Sequence, residues 1–72
     1  MAELRKGKWY IERYDYHTGH RDYWNELIEE FVWCRRDGTS YETMDTAKKV
    51  FDLEGFKKIE RYNYHVQFHD EK

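Results

Sequence analysis

Hydrophobic and polar residues alternate with a period of two near the end of the chain. Within the segment from Lys58 to His69, the even-numbered positions 62–68 are aromatic or aliphatic, and the odd-numbered positions 61–69 are polar or charged. The apolar set is Tyr62, Tyr64, Val66 and Phe68. Because successive side chains of a β-strand point to opposite faces, this pattern predicts a long strand with one buried face.

The segment Lys8–Tyr16 is rich in aromatic and β-branched residues and predicts a strand near the start of the chain. Its two faces differ little, because each combines rings with charges. One face carries Trp9, Ile11, Arg13 and Asp15, and the other carries Tyr10, Glu12, Tyr14 and Tyr16. A turn follows at residues 17–20, where Gly19 is free to adopt a positive φ.

Two interpretations are open for the stretch from residue 21 to residue 36. The favoured one has strands at 21–26 and 30–36, joined by a short acidic bend, because the run Phe31-Val32-Trp33-Cys34 is typical of β-structure. The alternative is a helix at 22–32, with Asp22 as its N-cap. The residues spaced as on one face of that helix are Trp24, Leu27, Ile28 and Phe31.

The clearest helix prediction covers Met44 to Glu54. Thr43 provides an N-cap oxygen, and Asp45 lies in the first turn, where a negative charge is favourable. Apolar residues share one side of this helix, at Met44, Ala47, Val50 and Phe51. Gly55 is well placed to end it.

Together these elements predict a small α+β domain of order β-β-β-α-β. One helix packs on one face of a three- to four-stranded antiparallel sheet. If residues 22–32 are helical, the order becomes β-α-α-β. The chain, residues 1–72, is short enough to be one domain, with loose ends expected at 1–7 and 70–72.

Composition suggests that this domain binds something. Aromatic residues make up 19% of the chain, which is more ring surface than one small core face can cover. Domains of this size usually need a disulfide, a metal or self-association for stability. The single cysteine, Cys34, cannot form an internal disulfide, and no zinc-ligand spacing is present. Dense aromatic packing or a homodimer is therefore expected.

Charge and hydropathy exclude several classes of protein. Thirteen basic and 15 acidic residues leave a formal net charge of −2, which disfavours a dedicated duplex-DNA binder. No segment approaches the ~20 apolar residues of a membrane helix. The first residues lack the apolar run of a signal peptide, and a lone cysteine fits a reducing compartment. The sequence therefore predicts a cytoplasmic protein.

Histidines and the cysteine are the candidates for chemistry. His17 and His20 flank the predicted turn, and Asp15 and Asp22 are near them in the sequence. Two histidines and one carboxylate give three metal ligands, but the sequence indicates no fourth, so a solvated turn is the favoured interpretation. His65 and His69 lie ~13 Å apart along a strand, too far to chelate one metal together. Cys34 lies in an apolar run, which favours an inert thiol. No catalytic residue, metal or cofactor is predicted.

Arginines interleaved with rings are the candidate binding residues. Trp, Tyr and Arg dominate the hot spots of protein interfaces. The polar side of the last strand is predicted to lie opposite the helix, and neighbouring strands are expected to extend that face. The predicted partner-binding residues are Trp9, Ile11, Arg13, Trp33, Arg35, Arg61 and His65. The same mixture suits stacking of single-stranded bases, but the near-neutral charge makes a nucleic acid the alternative partner.

Two segments carry a resemblance. WYIERYDYHTGHRDYW at 9–24 and SYETMDTAKKVFDLEG at 40–55 together resemble the very small β-β-(β)-α-β proteins of bacteriophage genomes. Some of these are host-takeover proteins that bind and inhibit bacterial enzymes such as RNA polymerase or the replication clamp. The resemblance implies a non-enzymatic inhibitor that occludes a surface of a larger bacterial protein in the host cytoplasm. Single-stranded nucleic-acid binding is the alternative function.

Overall fold

Two nine-residue strands form the centre of the molecule. The computed structural model describes residues 7–56 and 59–70. In chain order its elements are β1 (Gly7–Asp15), β2 (Arg21–Asn25), β3 (Glu30–Val32), a 3-10 turn (Arg35–Asp37), β4 (Ser40–Tyr41), α1 (Met44–Glu54) and β5 (Tyr62–Asp70). β1 and β5 run antiparallel and pair along their whole length, from Gly7 opposite Asp70 to Asp15 opposite Tyr62.

The five antiparallel strands form one curled sheet, shaped like half a barrel. β5 occupies one edge of β1. β2 and β4 share the other edge, because β2 pairs with residues 12–14 of β1 and β4 pairs with residues 9–10. β3 pairs with the outer edge of β2. The strand with the most neighbours is therefore β1, and the chain folds back on it from both sides.

The register decides which side chains share a face. Trp9 lies opposite Phe68, Ile11 opposite Val66, and Arg13 opposite Tyr64. Directly opposed residues point to the same side of a sheet, so these residues form one face together. The helix α1 packs on β1 and β5 from that side. We call this side the helix face and the opposite side the open face.

The helix begins and ends where local chemistry directs it. The Thr43 side chain accepts a hydrogen bond from the Thr46 N–H at 3.2 Å, which satisfies one of the free N–H groups of the first turn. At the other end, Gly55 adopts the left-handed conformation, with φ of 56°. Ala47 is buried against the sheet, and Val50 and Phe51 pack beside it.

Aromatic rings fill the core between helix and sheet. Its buried members are Ile11, Trp24, Tyr41 and Ala47. Phe56, which follows the end of α1, lies at the centre of the ring contacts. Its ring centroid is 4.8 Å from that of Trp24, 5.3 Å from that of Phe31 and 5.5 Å from that of Phe51. Edge-on and tilted ring pairs at these distances are favourable beyond the area that they bury.

The bend between β2 and β3 replaces the alternative helix. The Asn25 side-chain oxygen accepts hydrogen bonds from the N–H groups of Leu27 and Ile28, at 2.9 and 3.2 Å. Glu29 then takes a positive φ of 52°, which closes the turn. Asn favours such turns because its side chain competes with the backbone acceptors that a helix would use.

The predicted fold class is confirmed, with corrections in detail. The helix spans the predicted residues, and the alternative helix at 22–32 is wrong. The sheet has five strands rather than three to four, because Ser40–Tyr41 adds a short strand beside β1. The strand predicted at 30–36 ends at Val32 and gives way to the 3-10 turn.

The predicted loose ends include two residues that are paired. Gly7 and Asp70 are opposed ends of β1 and β5. The rest of the expected ends, 1–6 and 71–72, lies outside the described residues. Within the described ranges, the helix is too short and too polar to span a membrane.

Candidate functional site on the open face

The open face carries a connected set of polar and aromatic side chains. The register of the strands places alternate residues of β1, β2 and β5 on this side. They are Tyr10, Glu12, Tyr14, Arg21, Tyr23, His65, Gln67 and His69. Within residues 7–56 and 59–70 no helix covers them, because α1 packs on the opposite side.

A buried carboxylate lies in the middle of this face. Glu12 is 0% exposed, although it sits on the side of the sheet away from the helix. The His65 Nε2 lies 3.1 Å from its Oε1, and the His69 Nε2 contacts its Oε2. The Arg21 Nε is 3.9 Å from Oε1. Burial of a carboxylate is costly unless hydrogen bonds and positive charge compensate it, and these three side chains provide both.

Arg35 extends this arrangement to the rim of the face. Its Nη1 donates to the Nδ1 of His69 at 2.8 Å. Because Nδ1 is then an acceptor, the ring proton of His69 resides on Nε2 and is donated to Glu12. The Arg35 guanidinium also lies 5.9 Å from the centre of the Tyr10 ring. A continuous chain of contacts therefore joins an exposed arginine to a buried carboxylate.

A wide cavity opens beside this chain of contacts. Its volume is about 790 Å³. It is lined by rings, two arginines, a thiol and a carboxylate, namely Tyr10, Tyr23, Trp33, Cys34, Arg35, Arg36 and Asp70. The cavity is larger than a groove of about 360 Å³ beside α1 and one of about 300 Å³ beside Trp9, and it is large enough for several side chains of a partner.

Trp33 stands at the rim of the cavity and is held from one side. Trp33 is 69% exposed to solvent. The His20 ring stacks on it with centroids 3.4 Å apart and planes inclined by 15°. The His20 Nε2 is 3.2 Å from the Trp33 carbonyl oxygen, within hydrogen-bonding distance. The indole is therefore exposed on one surface and supported on the other.

Tyr23 lines the cavity and is surrounded by charged groups of both signs. Burial raises the pKa of Tyr23, and the nearby Glu12 carboxylate raises it further, while Arg35 and Arg21 act in the opposite sense. The phenol is thus neutral at physiological pH. It can accept or donate a hydrogen bond to a bound group without carrying charge.

The structure separates the predicted binding residues into two groups. The sequence prediction that Trp9, Ile11 and Arg13 share a face with His65 is wrong. The register puts those three on the helix face, and Ile11 is 0% exposed. The reason is that either side of β1 carries rings and charges, so its composition alone cannot decide which side faces the helix.

Arg13 is engaged in the core rather than presented to a partner. Its Nε donates to the Asp22 Oδ2 at 2.9 Å. Its guanidinium lies over two rings, 4.5 Å from the centre of Phe31 and 4.3 Å from that of Tyr62. Such contacts stabilise a desolvated cation. The arginine therefore covers the aromatic core at one end of the helix face.

Arg61 is engaged in the same way at the start of β5. Its Nε is 3.1 Å from both Asp15 carboxylate oxygens, and its Nη2 is 2.9 Å from Oδ2. The Arg61 guanidinium, with the His17 and Thr18 N–H groups, holds the pKa of Asp15 well below its usual range. The same contact raises the pKa of Arg61. This ion pair fixes the turn after β1 to the approach of β5.

The other three predicted residues do come together. Trp33 and Arg35 line the cavity, and His65 contacts Glu12 beside it. The distance of ~13 Å along the strand does not keep His65 and His69 apart, because each reaches a different oxygen of the same carboxylate. Among the described residues, no group of three or more His, Cys, Asp or Glu side chains is arranged to hold a metal ion.

Several residues of this site escaped the sequence analysis. Glu12, Tyr10 and Tyr23 were assigned to strands but not to a binding surface, and Arg36 was not singled out. A signal for Glu12 exists in hindsight. It is flanked by Ile11 in the middle of a β-rich run, where a charge is unexpected. The sequence held no corresponding signal for Arg36.

Comparison of the chain with protein-family models, curated proteins and solved structures finds no match. The arrangement on the open face is therefore interpreted from its own chemistry.

Proposed function

We propose that this chain is a non-enzymatic protein-binding module that holds an acidic segment of a larger protein on its open face. The observation that carries the proposal is the rim of the 790 Å³ cavity, where Trp33 stands beside Arg35 and Arg36. These are the residue types that contribute most to protein interfaces. The proposal keeps Trp33, Arg35 and His65 from the sequence prediction and adds Arg36.

The rim is preorganised for binding. The stack on His20 restricts Trp33, and the hydrogen bond to His69 restricts Arg35. Immobilising a flexible side chain on binding costs roughly 0.5–1.5 kcal/mol, so side chains that are already held lose less. The buried Glu12 contributes indirectly, because it fixes the orientation of His69.

The charge of the rim suggests an acidic partner. Arg36 makes no hydrogen bond or ion pair with any other residue in the described part of the chain, and Arg35 contacts a histidine there rather than a carboxylate. A guanidinium binds carboxylates through two parallel hydrogen bonds. Asp and Glu side chains of a partner therefore fit the arginines, while the Trp33 indole covers adjacent apolar atoms.

The resemblance to phage host-takeover proteins suggests where the partner is found. We infer that the module acts in the bacterial cytoplasm and inhibits an enzyme of transcription or replication by occluding a surface. An inhibitor of this kind needs no catalytic group. It needs only a rigid surface of adequate area, since standard interfaces bury about 800 Å² on each partner.

The test is capture from a bacterial lysate with the immobilised protein, followed by calorimetry with the purified partner. Trp33→Ala and the double variant Arg35→Ala, Arg36→Ala each remove part of the rim. Each is expected to weaken binding by about 1–3 kcal/mol, in the usual hot-spot range. Leu53→Ala and Lys49→Ala, at exposed positions on α1, are the matched controls and should bind as the parent does.

Salt dependence distinguishes the alternative function. A fluorescent hexaglutamate peptide and an oligothymidine of similar charge serve as defined probes. Preference for the oligothymidine, with affinity falling steeply as salt rises, would favour single-stranded nucleic acid through stacking on Trp33. Partner binding that is unchanged in both rim variants would contradict the proposal.

A further inference from the structure

The outer edge of β5 is the longest edge of the sheet beside which the structure describes no further strand. β5 has nine residues, and among the described residues it pairs only with β1. An edge strand offers a row of backbone donors and acceptors to any other strand that can approach it. Proteins usually shorten, bulge or charge such an edge. Between Tyr62 and His69 this strand has no bulge relative to β1, no proline and no lysine.

The hydrogen-bond phase shows which residues point outward. The Tyr16 N–H donates to the Arg61 carbonyl at 3.0 Å, so this opposed pair is hydrogen-bonded. Bonded and non-bonded pairs alternate along an antiparallel ladder. The backbone groups of Asn63, His65 and Gln67 therefore point to β1, and those of Tyr64, Val66 and Phe68 point to the outer edge. There the Phe68 carbonyl accepts a hydrogen bond from the Gln67 Nε2 at 3.2 Å, which a pairing strand would replace or share.

We propose that β5 pairs with β5 of a second copy of this chain, antiparallel about a two-fold axis at Val66. Val66 of each copy then exchanges both backbone hydrogen bonds with its symmetry mate, and Tyr64 lies opposite Phe68 of the second copy. Aromatic cross-strand pairs of this kind are favourable. The result is one continuous ten-stranded sheet.

The position of the helix fits this arrangement. α1 packs over both β1 and β5. If its axis follows the line between these strands, it lies about one strand spacing, ~4.8 Å, from the two-fold axis. The two copies of α1 are then about 10 Å apart on the same side of the sheet, near the 8–10 Å at which helices pack. Strand pairing and helix packing are therefore satisfied by one axis.

Charges on α1 are self-complementary about the same axis. Lys48 and Asp52 line a groove together with Tyr64 and Val66 of β5. Neither side chain forms an ion pair within the part of the chain that the structure describes. A two-fold axis makes neighbouring helices antiparallel, so Lys48 of one copy meets Asp52 of the other, and the contact occurs twice.

The test is the dissociation constant of the dimer, measured by sedimentation of the full chain and of charge-reversed variants. Lys48→Asp alone and Asp52→Lys alone each replace two attractive contacts by two repulsive ones. Each is expected to weaken the dimer by about tenfold, because the interaction changes at four exposed charge contacts. Mixing the two single variants restores complementary charges and should restore a dimer of parental strength. The double variant Lys48→Asp, Asp52→Lys also keeps complementary charges and should form a dimer of parental strength.

A backbone variant tests the strand edge independently of charge. In Val66→Pro the missing N–H is one that points away from β1, so the sheet of the single copy can form. This variant is expected to fold, as judged by circular dichroism, and to sediment as a monomer. If Val66→Pro does not fold, the charge-exchange variants still test whether the dimer forms as proposed. Sedimentation of the parent as a 9.1 kDa monomer at millimolar concentration would overturn the proposal. A dimer insensitive to all of these charge changes would also overturn it.

The proposal does not depend on what the open face binds. The two helices lie on one side of the joined sheet, and both open faces lie on the other. Rim variants that leave partner binding unchanged would contradict the proposed function but not the dimer. Sedimentation of the parent as a monomer would contradict the dimer but not the proposed function.

Discussion

The helix face and the open face bury side chains by different physical means. On the helix face, rings and aliphatic groups exclude water together, around Phe56 and Trp24. On the open face, Glu12 is as fully buried as Ile11, its neighbour in β1, but no helix in the described part of the chain covers it. It is covered by the histidines that hydrogen-bond to it and by the curl of the sheet. Ile11 and Glu12 are adjacent in β1 but are buried by different means, the first by exclusion of water and the second by hydrogen bonds.

The difference assigns separate tasks to the two faces. Apolar burial is the main source of stability in a domain, because its contribution grows with the apolar area that is removed from water. A buried charge contributes little net stability, because desolvation offsets the attraction. The polar arrangement on the open face therefore serves to position Arg35 and the cavity, while the helix face stabilises the fold.

The largest expected effect is on the helix face. Trp24→Ala removes a ring that is packed between Phe31 and Phe56 and should lower the free energy of unfolding by about 3–5 kcal/mol. Urea denaturation followed by circular dichroism measures it. Leu53→Ala, at a side chain on α1 that is 85% exposed, should change stability by less than about 0.5 kcal/mol. Equal effects of the two changes would show that Trp24 is not a core residue.

A smaller loss of stability is expected at the centre of the open face. Glu12→Gln keeps the shape of the side chain but leaves one acceptor oxygen for two histidine N–H groups. One donor loses its partner, so the expected cost is about 1–3 kcal/mol. Glu30→Gln, at an exposed position of β3, is the control and should be nearly neutral. Increased stability of Glu12→Gln would mean that desolvation of the carboxylate outweighs its hydrogen bonds.

Alkaline pH probes one tyrosine from each face. Burial, with the charge and hydrogen bond of Glu26, raises the pKa of Tyr41, and burial with Glu12 raises that of Tyr23, both above the ordinary 10.0. A tyrosine with a raised pKa stabilises the fold below that ordinary value, and its contribution is lost as the pH rises above it. The melting temperature should therefore fall above about pH 10.

Phenylalanine variants assign that fall to each face. Tyr41→Phe should flatten the alkaline slope more than Tyr23→Phe, because the pKa shift of Tyr41 is the larger. Thermal melts between about pH 8 and about pH 11 measure both slopes. A parent melting temperature that is constant over this range would contradict the burial of both phenols.

The smallest expected effect on stability is at the rim of the cavity. Trp33→Ala removes a side chain that contacts His20 and solvent, so the free energy of unfolding should change by about 0.5 kcal/mol or less. The same variant should lose affinity for the acidic partner. A stability loss as large as that of Trp24→Ala would instead make Trp33 part of the core and remove it from the binding surface.

Much of the architecture follows from local sequence signals. Thr43 and Gly55 mark the ends of α1 because capping and left-handed backbone are properties of single residues. The period-two pattern of β5 identifies one apolar side because all its apolar residues have the same parity. These signals depend on neighbours within a few positions, so the order of elements can be read from them.

The site could be predicted only in part. Trp33, Arg35 and His65 were identified by residue type, and all three lie on the open side of the sheet. Trp9, Ile11 and Arg13 were placed with them, although they face the helix. Arg36 and Glu12 were missed, because the first lies in a 3-10 turn that was expected to be strand, and the burial of the second depends on its contacts with His65 and His69 of β5.

The sequence by itself determined the elements of this protein, and the tertiary structure decided how their faces combine. Alternation along β1 defines two sides, but both carry rings and charges, so only pairing with β5 selects the side that meets the helix. The convergence of His65 and His69 on Glu12 likewise requires the register and the curl of the sheet. Both outcomes depend on contacts between β1 and β5, which are distant in the chain; Glu12 is 53 and 57 positions from the two histidines. No local pattern specifies such contacts.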